Sequence, residues 1–186
     1  DAIVTTGGVS AGAYDVVKEV LEPLGDVVFT KVAMQPGKPQ GFGVLDGGVP
    51  IFCLPGNPVS VFVSFQLFVE PALARMAARF DGPTPEIEAV AAAGWRSPAG
   101  RRQYIPVVVQ LDDVGGTSAG SEGGGADAAD GGPGGVPGEL RVAPATAGGS
   151  GSHLIASLCL AEALAIVPED VTEVREGDRV RVMMAL

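Results

Sequence analysis

The chain has 186 residues, 46% of them hydrophobic, enough apolar material for one large buried core or two small ones. Its formal net charge of -10 at pH 7 argues against duplex nucleic acid, whose non-specific binding depends on lysine and arginine displacing counterions from phosphates. It still allows a small anion held by a few local donors. No apolar run approaches the ~20 residues of a bilayer crossing and no secretion signal opens the sequence, so a cytoplasmic protein without a membrane partner is expected.

Residues 2–6 form the first apolar, β-branched run and lead into "TTGGVSAGAYD". Gly7, Gly8 and Gly12 would let backbone amides converge on an anion at the carboxyl end of a strand, with Asp15 at the mouth of the following helix. The plainer account is a tight strand-to-helix turn, with Asp15 favouring the helix N-terminus electrostatically. The helix has Val17, Val20, Leu21 and Leu24 on one face and Lys18, Glu19 and Glu22 on the other, and Pro23 with Gly25 ends it.

Further strands read at residues 27–33, 41–45 and 50–54. Between the first two, "MQPGKP" reads as a proline-glycine turn in which Lys38 is a candidate oxyanion contact, with Lys31 just upstream on the strand. After Leu54, "LPGNP" supplies Asn57 as an N-cap and Pro58 at the first helical position. The amides after Asn57, with Ser60 nearby, offer a second anion site, although capping alone would explain Asn57. The helix that follows is apolar nearly all round, so it should be largely buried, with a kink at Pro71.

Composition shifts at "DGPTPE", which marks a linker at residues 81–86 between an α/β unit at 1–80 and an all-β unit at 87–186. The second unit contains "QYIPVVVQL", "ELRVAP", "ALAIVP" and "RVRVMMAL", in which Val180, Val182, Met184 and Leu186 alternate with arginines. A short helix around "SHLIASLCLA" interrupts them, and "REGDRV" is a turn, so a small barrel or sandwich is expected. Residues 115–138 are almost pure glycine, alanine, serine and acid, and read as a disordered loop. Cys53 and Cys159 lie in apolar segments far apart and read as buried thiols. His153 is the only histidine, and no Ser/His/Asp arrangement is visible.

Taken in order, "TTGGVSAGAYD", "KVAMQPGKP", "LPGNPVS" and the closing "GSHLIASLCLAEALAIVPEDVTEVREGDRVRVMMAL" resemble the molybdopterin molybdenumtransferase (MoeA) family, also represented by the gephyrin E domain. The resemblance implies a partial three-layer molybdopterin-binding α/β domain followed by a small barrel-like β domain. It implies an enzyme that converts adenylated molybdopterin and molybdate, with Mg2+, into molybdenum cofactor and AMP. Catalytic roles would fall to Asp15, Lys31 and Lys38, with Asp15 also beside the metal. Thr6, Gly7, Gly8, Ser10 and Gly12 would admit the pterin phosphate and adenylate. Pro36, Gly37 and Pro39 would form one wall, and Pro55, Gly56, Asn57, Pro58 and Ser60 the facing one. Many relatives carry lysine where Gln35 stands.

The resemblance is to the C-terminal half of the family, with partner strands upstream, so the chain by itself is expected to be inactive. It further implies a homodimer and a molybdopterin adenylyltransferase as partner. A gephyrin-type scaffold that binds molybdopterin without turnover, and the adenylyltransferase itself, are the alternatives.

Overall fold

A computed structural model describes residues 1–9, 16–79, 84–111, 139–146 and 155–184. Ser10, Gly12, Asp15, the expected loop at 115–138, His153 and Leu186 lie outside the described residues.

The first part contains β1 (Ile3–Thr6), α1 (Val16–Leu21) with a 3-10 turn (Glu22–Leu24), β2 (Val27–Lys31), β3 (Met34–Gln35), β4 (Pro39–Leu45) and β5 (Val49–Leu54). Four of these strands form a sheet in the order β1-β5-β4-β2, parallel between β1 and β5 and antiparallel elsewhere. Strand alternation sends Val27, Ile51 and Cys53 to one face, where they pack with Val9 against Val17 and Leu21 of α1. Phe52 and Leu54 point to the other face and meet Val69 and Ala72. Gly41 leaves room for the Phe29 ring, since a Cβ there would lie 2.6 Å from Phe29 Cε1. Val20, expected on the buried stripe of α1, is 58% exposed. It stands about 60° round the helix from Val17, on the side away from Leu21, and so short a helix touches the sheet along a narrow line only.

Asn57 starts the long helix by accepting hydrogen bonds from the N–H groups of Val59 (3.0 Å) and Ser60 (3.2 Å). The helix runs as α2 (Pro58–Ser64), a π-helical turn (Phe65–Val69) and α3 (Glu70–Met76). The irregularity expected at Pro71 thus takes the form of a wider turn just before it, which accommodates a residue with no N–H to donate. Over its 19 residues this helix is long and apolar enough to cross a membrane by length and composition alone, which corrects the expectation that no segment approaches that size. Nor is it largely buried. Val59, Val63 and Val69 face inward, whereas Phe65, Phe68, Leu73 and Met76 are exposed, because the sheet covers only one side of it.

The second part is a closed barrel of five strands, β6 (Glu86–Ala91), β8 (Arg102–Leu111), β9 (Leu140–Pro144), β10 (Ala163–Val167) and β12 (Arg179–Met184). They run in the order β10-β12-β6-β9-β8, and β8 pairs back to β10. A two-stranded ribbon, β7 (Trp95–Arg96) with β11 (Glu173–Val174), flanks it. Small and β-branched side chains fill the interior, among them Ala91, Val107, Val142, Ala165 and Val182.

β10 is buried along its whole length because its outer face is covered too: Leu164 and Ile166 pack with Met34, Val63 and Met183. This second cluster also covers the outer face at the end of β12, so Met183, on the same face as Arg179 and Arg181, is buried although Met184 is left 46% exposed. Met34 and Gln35, expected within a simple turn, form β3 and pair in parallel with Arg102 and Gln103 of β8. The expected "REGDRV" turn is present, with Gly177 at φ 88° and the Arg175 N–H donating to Asp178 Oδ2 at 2.8 Å. Arg179 and Arg181 pair with Glu88 (3.1 Å) and Glu86 (3.0 Å), exposed contacts of small energetic value.

The two cysteines differ. Cys53 is fully buried, and burial pushes its thiol up from the usual range. Cys159, expected to be buried, is exposed: α4 (Ile155–Leu160) is six residues long and packs beside β8 and α2, leaving Cys159 and Leu160 outside. Ellman's reagent should therefore modify one thiol at once, abolished in Cys159→Ser, and reach Cys53 only on denaturation. Two fast thiols would contradict the packing around Cys53.

Candidate functional site

Because β1 and β5 are parallel, the loops leaving their carboxyl ends emerge at one edge of the sheet. The Gly7 N–H donates to Leu54 O at 2.9 Å, extending the pairing one residue beyond the strand, and the chain then turns through positive φ at Gly7 (88°) and Gly8 (70°). The second loop is "PGNP". A Cβ built at Gly56 would lie 3.2 Å from Gly7 Cα, so the two loops meet glycine to glycine. Gly8 is equally constrained: a Cβ there would stand 2.8 Å from Val17 Cγ2, and Gly8 O accepts from the Lys18 N–H at 3.2 Å.

The "PGKP" turn is held from beneath. Buried Gln40 donates from Nε2 to Gly37 O (2.7 Å) and to Ser64 Oγ (2.6 Å), tying the turn to α2. Val32 N–H donates to Lys38 O at 2.8 Å. Pro36 and Gly37 are consequently buried while Lys38 stays exposed, as does Lys31 at the end of β2.

A cavity of about 580 Å3 opens here, lined by Val9, Lys18, Phe29, Thr30, Lys31, Lys38 and Pro39. The structure therefore brings together Lys31, Lys38 and Pro39, and places the loop of Thr6, Gly7 and Gly8 at the rim through Val9. Pro55, Gly56, Asn57, Pro58 and Ser60 stand on the adjoining loop and do not line this cavity. The amides of Val59 and Ser60, expected to be open to an anion, are taken by Asn57 Oδ1, so at these positions capping is what the residue does. Among the described residues, the cavity lining supplies no carboxylate and no group of three or more metal-ligating side chains occurs. Asp15, the residue expected beside the metal, lies outside the described residues, and no step is assigned to a metal here.

Sequence reasoning missed Lys18, which it placed on the solvent face of α1. Its backbone bond to Gly8 ties it to the glycine loop. Gln35 accepts a hydrogen bond from Arg101 Nη1 at 3.3 Å. A larger cavity of about 710 Å3 lies between β4, β5 and the long helix, but Phe42, Phe52, Phe68 and Met76 make it apolar and none of the expected site residues lines it.

Residues 1–75 match the family described as "Probable molybdopterin binding domain", and residues 136–184 match "MoeA C-terminal region (domain IV)". A molybdopterin molybdenumtransferase 2 of Mycobacterium tuberculosis is 40% identical over 189 residues, covering 98% of this chain and 39% of the relative. Gephyrin of Dictyostelium discoideum is 43% identical over 91 residues, covering 41% of this chain and 13% of the relative. Among solved structures, a molybdopterin biosynthesis moea protein from Pyrococcus horikosii superposes with a TM-score of 0.68 at 29% identity, covering 100% of this chain and 37% of that one. The chain thus spans about two fifths of the length of these molybdenumtransferase relatives.

Proposed function

The chain belongs to the molybdopterin molybdenumtransferase (MoeA) family, and from that premise we propose that it acts in the step that inserts molybdate into adenylated molybdopterin and releases AMP. The observation that carries this reading is the cleft in which two lysines expected from the sequence, Lys31 and Lys38, converge beside the glycine loop at the carboxyl edge of the sheet. Adenylated molybdopterin contains a pyrophosphate. Breaking it develops negative charge on the departing AMP phosphate, which fixed ammonium groups offset without reorganising. Glycines at 7 and 8 allow the phosphates to approach the backbone.

Asp15 follows the same loop, and its proposed task is to orient molybdate or to hold Mg2+ against the phosphates. Ser10 and Gly12 belong to the same proposed loop, and the "PGNP" residues to the wall beside it. The working form is proposed to be a cytoplasmic homodimer that receives its substrate from a molybdopterin adenylyltransferase. The match at residues 136–184 supports the transferase over the adenylyltransferase itself.

The test is to incubate the full-length protein, not residues 1–186 alone, with adenylated molybdopterin, molybdate and magnesium and to follow AMP. Release that depends on molybdate is the expected result. The gephyrin match supports a second reading, a scaffold, which would show binding without AMP release. Neither binding nor release would remove both readings.

A further inference from the structure

We propose that Lys18 is a third ligand of the oxyanion held by Lys31 and Lys38, and that it exchanges Glu22 for that anion on binding. The inference rests on the reading of the site given above and extends it to a residue outside the expected motifs.

The 186 residues contain only three lysines, Lys18, Lys31 and Lys38. All three line the one cavity, although they come from α1, the end of β2 and the turn before β4. The remaining cations are arginines, and none lines it. In a chain of net charge -10, gathering every lysine ammonium group in one cleft sets like charges together unless an anion lies between them. Lysine suits such a ligand, because a compact ammonium acts as a point charge toward a tetrahedral oxyanion, where guanidinium demands a flat, two-pronged partner.

Lys18 is also free to change partners. Its Nζ is 3.8 Å from Glu22 Oε1, with the two side chains 40% and 57% exposed, a contact that an incoming dianion can displace. Its backbone is meanwhile bonded to Gly8, so the side chain is anchored beside the loop that would carry the phosphate. The shared chemistry is that of a tetrahedral dianion, whether a phosphate of the substrate or molybdate.

The scarcity of lysine makes a direct test possible. Reductive methylation with 13C-formaldehyde keeps the positive charges and labels three side chains and the terminal amine, and single lysine-to-glutamine variants assign the signals. Inorganic phosphate and molybdate are then titrated separately. All three lysine signals should move along one binding curve, and the tighter of the two anions identifies the source of the ligand. Lys18→Gln should weaken that binding roughly tenfold, the scale of one charge-assisted hydrogen bond, with an unchanged melting temperature. Glu22→Gln should bind at least as tightly as the parent, and weaker binding there would overturn the exchange. A Lys18 signal that stays still while the other two move, or full affinity in Lys18→Gln, would overturn the role of Lys18 and leave the site standing. No response from any lysine would overturn both.

Discussion

Lys31→Ala should lower molybdate-dependent AMP release about a hundredfold, the scale seen when one preorganised contact to developing charge is removed. Lys31 is the last residue of β2 and is exposed, so its ammonium group takes no part in the buried clusters that hold the sheet. Its neighbour across the ladder is Pro39, on the strand that follows the Lys38 turn, which keeps the two lysines on one wall. Because the transition state of pyrophosphate cleavage carries more charge on the departing phosphate than the ground state does, the loss should fall mainly on kcat. Steady-state kinetics on the full protein, with melting temperature as the control for folding, check this. Full turnover in a folded Lys31→Ala would remove the lysine wall from the mechanism.

Gln40→Leu should destabilise the protein by about 2–4 kcal/mol, since it deletes two buried hydrogen bonds and strands their partners. Leucine fills much of the same space but leaves Gly37 O and the fully buried Ser64 Oγ without this donor. The effect should reach the site as well. Gln40 is what fastens the "PGKP" turn to α2, so Lys38 loses its fixed position and oxyanion affinity should fall with stability. Denaturant titration measures the first and phosphate binding under native conditions the second. A change within 0.5 kcal/mol, the range of ordinary surface substitutions, would contradict the anchoring role.

What could be read from the sequence follows what is local. Asn57 and Pro58 announce a helix start, and paired glycines after "AIVTT" announce a turn, because capping and positive φ are settled within a few residues. The contrasting texture of "ALAIV", buried along its length, and "RVRV", alternating, likewise reflects which faces are covered. The missing parts depend on contacts made far along the chain. Pairing of Met34 and Gln35 with Arg102 and Gln103 turns the start of an apparent loop into a strand that adds to β8. The burial of Met183 on the arginine face requires Met34, Val63 and Leu164 to cover that side of β12. Lys18 was hidden for the same reason: helical periodicity places it beside Glu22, and only the fold carries it to Lys31 and Lys38. Cys159 and the exposed phenylalanines of the long helix show the converse, that apolar composition says nothing about whether a partner face is present.

Hydrogen exchange with and without adenylated molybdopterin tests the central claim most directly, because both large cavities draw on residues 30–40 but Val9 and Lys18 line the lysine cleft, whereas Leu67, Phe68, Ala72 and Met76 line the apolar cavity. If the phosphates sit between the glycine loop and the lysine wall, exchange should slow together in peptides covering residues 3–9 and 30–40, with little change in residues 65–76. Protection confined to residues 65–76, around Phe68 and Met76, would place the ligand in the apolar cavity and contradict the account.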